Sequence, residues 1–202
     1  LKIATNIVKT MSLTEGCTDN DLFLQAVTVM NKKDPSANSA YYLYKLHSAK
    51  NNTDEAIKYL EEAIERPESD EAQDAEWTYE LATYCFKSGL SAKAFEHATQ
   101  VASTSDKYAG KAYFLIGNIW ASSRCGGDDI ARRAPYWVAT DYMQKAAAAD
   151  PSLAEEANRY ISQYRVYFPQ AADAFMYDIT NGQSYTVVCG GMRATTTVRT
   201  VR

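Results

Sequence analysis

The sequence predicts an all-α protein built from repeated antiparallel helix pairs, with a small β-hairpin at its C-terminal end. Three observations support this fold class. The 202 residues include 15 Tyr but only 9 Gly and 5 Pro, so few residues interrupt helices. One helix–turn–helix pattern recurs along residues 1–150, and the C-terminal segment is instead rich in β-branched side chains.

The bulk composition is that of an ordinary globular protein and excludes several classes. With 21 Lys+Arg against 25 Asp+Glu the net charge is −4, and 46% of the residues are hydrophobic, which excludes a disordered chain. No basic block indicates nucleic-acid binding, and no apolar run reaches the ~18 residues of a membrane span. Because the chain begins with Leu1 rather than Met, we expect a processed or shortened N-terminus.

The helical pairs are predicted in order along the chain. A helix over residues 1–11 precedes one that ends at Pro35, giving a first pair over 1–35. The second pair, 38–67, contains a polar turn at 51–54 that separates two amphipathic stretches. The third, 76–104, follows the same layout, because Ala94 comes 94 − 56 = 38 residues after Ala56. The fourth, 111–151, repeats it again with an insert near 122–135.

Small residues at equivalent positions have a physical role in such pairs. Ala56, Ala94 and Ala139 lie where two helices would approach closely, and larger side chains would fill the gaps beside them. Each pair alone leaves an apolar face uncovered, so neighbouring pairs must stack.

These spacings, with the Asp34-Pro35 and Asp150-Pro151 closures and the DEAI run at 54–57, resemble the tetratricopeptide repeat. The resemblance covers residues 1–150 and implies a right-handed helical solenoid with a concave face. It departs from the family pattern at Ala40 and Thr78, where a large aromatic is usual, and at Tyr44, where a small residue is usual.

The segment after residue 150 is predicted to close the array. Residues 151–178 read as capping helices, and residues 179–202 as a hairpin tail. Its two strands are predicted at 184–189 and 194–201, on either side of Gly190-Gly191. An isolated hairpin is marginal in water, so this one must dock on the helices or on the insert.

The tail carries a second resemblance. The motifs YWVATDYMQKA (136–146), GQSYTVVCGGM (182–192) and TTVRT (196–200) are similar to the C-terminal module of a group of bacterial cell-envelope tetratricopeptide proteins. This resemblance implies a periplasmic or envelope-associated setting, which would permit disulfide formation.

The cysteines do not form a recognisable metal or redox motif. None of Cys17, Cys85, Cys125 and Cys189 lies in C-x-x-C spacing. Cys125 and Cys189 both lie in glycine-flanked, loop-like contexts and could pair if the tail folds back onto the insert. Sequence alone favours the alternative of two free thiols.

No catalytic constellation can be assembled from the sequence. The two His residues lie in different repeats, and the insert offers Ser122, Ser123 and Cys125 without a residue that would activate them. The run 126–129 is glycine-rich and acidic but lacks the P-loop Lys and the calcium-loop spacing. We therefore expect a protein that is not an enzyme, with no cofactor and no metal.

The tetratricopeptide resemblance implies where a ligand binds. In that family the first helix of each pair lines a concave groove at its second, fifth, ninth and twelfth positions. Carried onto this sequence, those positions give the predicted groove residues Tyr41, Lys45, Tyr79, Thr83, Lys111, Phe114 and Asn118. Phe86 and Ala121 occupy the twelfth position of two copies. The aromatic rings at Tyr41, Tyr79 and Phe114 either form a ladder that faces a ligand or pack between helices.

The function indicated by these features is a non-enzymatic scaffold that binds a protein or peptide. One alternative is a structural envelope-assembly component that acts through its hairpin, which docks or pairs with a neighbouring chain. Another is an enzyme with its site at the 122–135 insert. The sequence does not identify the partner or the oligomeric state.

Overall fold

The computed structural model describes residues 1–14, 16–18 and 20–201. The helices are α1 Lys2–Ser12, α2 Asp21–Lys33, α3 Ala37–Ala49, α4 Thr53–Ile64, α5 Glu71–Lys87, α6 Ser91–Thr104, α7 Asp106–Ser122, α8 Asp129–Arg133, α9 Pro135–Ala149, α10 Ala154–Tyr164 and α11 Ala171–Phe175. Two antiparallel strands follow, β1 Ser184–Cys189 and β2 Met192–Thr197. The fold is therefore all-α with a small hairpin, as predicted. In the described part of the chain, no helix combines the length and apolarity of a membrane span.

The chain divides into two compact units, the first ending at Leu81 and the second beginning at Ala82. In the first unit α1 packs on α2, and α3 packs on α4. Its core contains Phe23, Val27 and Leu43, each almost fully buried. The start of α3 is held by a capping box, in which the Ser36 hydroxyl accepts from the Ser39 backbone and the Ser39 hydroxyl accepts from the Ser36 backbone.

In the second unit α6, α7, α9 and α10 pack in succession, each on the next. Trp120 and Trp137 are fully buried at the centre of this packing. Gly110 allows α7 to approach Asp150 at the end of α9 closely, because a Cβ built there would lie 2.4 Å from the Cβ of Asp150. This unit thus depends on a missing side chain for its helix spacing.

The alanines predicted at close helix contacts are all buried. Ala56, Ala94 and Ala139 have no exposed surface. Their spacing therefore reflects the helix packing that the repeat pattern predicted.

The predicted range of the second strand, 194–201, is wrong. β2 begins at Met192 and ends at Thr197, because the two-residue turn Gly190-Gly191 pairs Cys189 directly with Met192. Both turn glycines have positive φ, as such a turn requires. Val201 leaves the hairpin and forms an isolated parallel bridge with Gln170.

Three interactions hold the hairpin on the rest of the second unit. Cys189 is bonded to Cys125 of the insert, with the two Cα atoms 5.3 Å apart. The Tyr185 ring packs edge-on against Trp137 of α9. Asp141 of α9 accepts hydrogen bonds from the Arg199 guanidinium and the Thr196 hydroxyl. The sequence-based preference for two free thiols at Cys125 and Cys189 is therefore wrong, since the tail does fold back onto the insert.

Candidate binding groove

In the first unit, Tyr41 and Lys45 of α3 converge on Glu80 of α5. The Tyr41 hydroxyl donates to one Glu80 carboxylate oxygen at 2.9 Å, and the Lys45 ammonium forms an ion pair with the other. The Tyr44 hydroxyl also donates to this carboxylate, at 2.9 Å. Glu80 was not among the predicted groove residues, although it bonds to two of them, Tyr41 and Lys45.

The surroundings of this cluster show how far it is already filled. The Tyr41 ring stacks on Trp77, with centroids 4.9 Å apart and planes 17° apart, and burial raises the pKa of Tyr41. Burial opposes the charged form of Lys45 and is the largest single influence on it. The hydrogen bond that Lys45 donates to Glu80, together with its interactions with Tyr41 and the Glu80 charge, outweighs burial and holds the pKa of Lys45 above its ordinary value. An external carboxylate at Lys45 would therefore compete with Glu80.

The remaining predicted residues lie on α5 and α7. Tyr79 belongs to the first unit and is half-buried; Thr83 belongs to the second and is also half-buried. On α7, Lys111 is exposed, and the Phe114 ring packs edge-on against Tyr160 with centroids 5.6 Å apart. Tyr41 and Phe114 thus each pack against another aromatic ring within their own unit, Trp77 in the first and Tyr160 in the second. A binding role for these residues stays a prediction.

Asn118 lies in a concave surface of the second unit that we call the aromatic groove. Its volume is about 630 Å³. The wall residues are uncharged, and half of them are aromatic: Phe86, Asn118, Ala121, Ser122, Tyr136, Tyr160, Gln163, Tyr164, Val166 and Tyr167. Three of the family-derived positions, Phe86, Asn118 and Ala121, therefore meet in one depression.

The tyrosines of the aromatic groove form a connected set of rings. Tyr136 and Tyr167 stack with their planes 7° apart and their centroids 4.0 Å apart. Tyr164 lies 5.8 Å from Tyr136 and 6.0 Å from Tyr160 between ring centroids. These contacts order the rings before any ligand arrives, which reduces the entropy lost on binding.

The floor and the rim of the aromatic groove differ in exposure. Tyr164 is 5% exposed, and its hydroxyl has no hydrogen-bond partner among the described residues. Burial raises the pKa of this phenol well above its ordinary value. At the rim, Val166 is 74% exposed and Tyr167 is 45% exposed. The groove therefore has a buried floor and an apolar rim in contact with solvent.

The sequence did not place Tyr136, Tyr160, Tyr164 and Tyr167 in a groove. The last three follow one another at i, i+4 and i+7, the spacing of one helix face. That signal indicates a shared face but not whether the face is covered. Tyr136 carries no such signal, because it lies at the start of α9 after the insert.

The insert itself does not present an activated nucleophile. The hydroxyls of Ser122 and Ser123 both donate to the backbone oxygen of Ile119, and Cys125 is in a disulfide. A second depression, of about 440 Å³, lies beside these serines and the hairpin turn. Within the described ranges, no group of three or more His, Cys, Asp or Glu side chains could hold a metal ion.

Comparisons with known proteins support the fold. No family model matches the chain. No curated protein matches it either. Among solved structures, the crystal structure of MamA protein is similar with a TM-score of 0.53 at 16% identity, over 89% of this chain and 96% of that one. A kinesin light chain from Podosopora anserina with TPR-like repeats gives a TM-score of 0.46 at 13% identity, over 88% of this chain and 94% of that one. The first similarity shows that the chain has a tetratricopeptide-type helical fold.

Proposed function

We propose that this chain is a protein-binding scaffold whose second unit holds a peptide segment in the aromatic groove. The observation that carries the proposal is the pair of stacked rings Tyr136 and Tyr167 beside the exposed Val166, above the buried Tyr164. Ordered aromatic rings that remain open to solvent are typical of binding hot spots.

The lining of the groove defines the partner's chemistry. None of the lining residues is charged, so an ionic group buried against the floor would have no counter-charge in direct contact with it. The nearby cations lie at the edge, where Arg159 approaches the Tyr160 ring and Arg133 donates to the Tyr167 backbone oxygen. The amides of Asn118 and Gln163 can each donate and accept, which suits the backbone of an extended segment. The partner segment is therefore uncharged where it enters the groove, with one or two aromatic or large aliphatic side chains.

The experiment is a selection of displayed random peptides on the oxidised protein, followed by affinity measurement by fluorescence anisotropy. Tyr167→Ala is expected to weaken binding of the selected peptides by roughly thirtyfold, the effect of removing a hot-spot residue of about 2 kcal/mol. Tyr177→Ala is the matched control, since Tyr177 is 43% exposed, against 45% for Tyr167, and lies outside the groove.

Tyr177→Ala should melt at nearly the same temperature as the parent protein, whereas Tyr167→Ala also loses its stack on Tyr136 and should melt a few degrees lower while remaining folded. Peptides rich in charge, or peptides that bind both variants equally well, would contradict the assignment of the groove. Competition among the selected peptides shows whether they share one site.

For localisation we propose an oxidising compartment, such as the bacterial periplasm. The support is the disulfide between Cys125 and Cys189, since such bonds persist mainly outside reducing compartments. Trapping thiols in intact cells with a membrane-impermeant and a permeant reagent tests this proposal. A protein that reacts at Cys125 in freshly lysed cells would count against it.

A further inference from the structure

The backbone of β1 has one side that is unpaired. The Val198 N–H donates to the Gln183 oxygen at 2.8 Å, next to the ladder that pairs Ser184 with Thr197. In an antiparallel pair, hydrogen-bonded and non-hydrogen-bonded positions alternate. Gln183, which precedes β1, is a hydrogen-bonded position, so Tyr185, Val187 and Cys189 also bond to β2. The residues between them, Ser184, Thr186 and Val188, direct their backbone groups away from β2. Among the described residues, no further backbone hydrogen bond reaches these three.

The outer edge of β1 also lacks the usual protection against pairing with another chain. The strand SYTVVC has no charged residue and no proline, and Val188 is 64% exposed. Natural edge strands are commonly protected by charge, proline, a bulge or a cover. The other edge of the hairpin is different, because β2 contains Arg193, packs along α9, and has its Thr197 oxygen bonded to Arg199 at 3.1 Å.

The insert does not occupy this edge through hydrogen bonds. The insert is bonded to β1 by the disulfide between Cys125 and Cys189. It also acts on β1 electrostatically, because burial and then the negative charge of Asp128 raise the pKa of Tyr185. Cys189 and Tyr185 both belong to the inner face, which alternates with the exposed face along the strand. The links from the insert therefore reach the inner face of the hairpin, and the side chains of Ser184, Thr186 and Val188 are exposed.

We propose that two copies of this chain associate through β1, which pairs antiparallel with β1 of the second copy about a two-fold axis at Thr186. The result is a four-stranded sheet. In this register Thr186 faces its own counterpart, and Ser184 faces Val188 of the second copy. On the other face Tyr185 lies opposite Val187 of the second copy, whose side chain is already buried within its own unit.

The register is favourable on the exposed face, where Thr186 meets Thr186 of the second copy. Thr–Thr pairs are among those that stabilise antiparallel strands, by roughly 0.2–1 kcal/mol. Because the strand is uncharged, no like charges meet in the symmetric pair. An isologous contact of this kind closes after two copies and does not propagate.

The test measures the molar mass of the oxidised, full-length chain by sedimentation velocity across a concentration series. A concentration-dependent dimer is expected for the parent protein. Thr186→Pro removes the edge N–H in each copy, and so is expected to weaken dimerisation by roughly tenfold or more. Thr195→Pro is the matched control, since Thr195 is the partner of Thr186 in the hairpin but its N–H lies on the edge of β2.

A second pair of variants keeps the test independent of proline effects on folding. Thr186→Lys and Thr186→Glu should each be monomeric, because like charges then lie directly opposite, and an equimolar mixture of the two should dimerise. A parent protein that stays monomeric up to millimolar concentration would overturn the proposal. So would a dimer that Thr195→Pro weakens as much as Thr186→Pro, or a mixture that stays monomeric.

Discussion

Removing the Cys125–Cys189 bond should destabilise the second unit substantially. The two cysteines are 64 residues apart in sequence, so the bond closes a long loop in the unfolded chain. For a loop of this length the chain-entropy relation gives a stabilisation of about 4 kcal/mol at 25 °C. A loss of that size corresponds to a fall in melting temperature of roughly 10 °C for a protein of this size.

The perturbation is the double variant Cys125→Ala, Cys189→Ala, and the assay is thermal unfolding followed by circular dichroism. Cys17→Ala serves as the control, because Cys17 is a free and half-buried thiol. Wild-type protein measured with reductant should match the double variant. A titration of unfolded, unreduced protein should find two reactive thiols, those of Cys17 and Cys85, which are not in the disulfide.

The reasoning has two points at which it can be refuted. Four reactive thiols in unreduced protein would show that the bond does not form. A double variant that melts no lower than Cys17→Ala would show that the hairpin is held in place without it, by its contacts with α9. In that case, the entropy of the closed loop would not be the source of stability at this site.

Three further outcomes follow from the packing of the second unit. Gly110→Ala should cost about 1–3 kcal/mol in denaturant unfolding, because its Cβ would lie 2.4 Å from that of Asp150, whereas Gly126→Ala, with nothing within 4 Å, should cost much less. Tyr164→Phe should leave the melting temperature unchanged or raise it, since it removes a buried hydroxyl that lacks a partner; a loss above about 1 kcal/mol would contradict this. Burial raises the pKa of Tyr164 in the folded state, so ionisation of this phenol does not affect the free energy of unfolding below the unfolded pKa of about 10 and lowers it as the pH rises further. The Tyr164→Phe variant should therefore lose stability less steeply with pH in that range. Asp141→Ala should cost about 1–3 kcal/mol, because it leaves the tail guanidinium without its carboxylate, and denaturant unfolding at low and high salt checks this.

Much of the fold followed from local sequence patterns. The positions of Ala56, Ala94 and Ala139 predicted close helix contacts, and all three are fully buried. The glycine pair at 190–191 predicted a tight hairpin turn. The glycine pair could not predict where β2 ends, because β2 pairs only as far as Ser184, the first residue of β1. Val201 instead forms a bridge with Gln170.

The candidate site was only partly predictable. Positions carried over from the repeat family reached Asn118, which does line the aromatic groove. They also reached Lys45, whose charge is taken up by Glu80. The spacing of a repeat gives the direction of a side chain from its own helix. It does not show which acid on the next helix lies within reach of that side chain.

The sequence by itself determined the helical repeat, the small residues at its contacts and the hairpin, because each depends on the spacing of neighbouring residues along the chain. Only the tertiary structure decided that Cys125 bonds to Cys189, that Tyr136 stacks on Tyr167, and that one edge of β1 is left unpaired. The first two features join segments separated by tens of residues, and the third depends on which segments reach the strand. Their geometry depends on how whole helices pack, which no local pattern records.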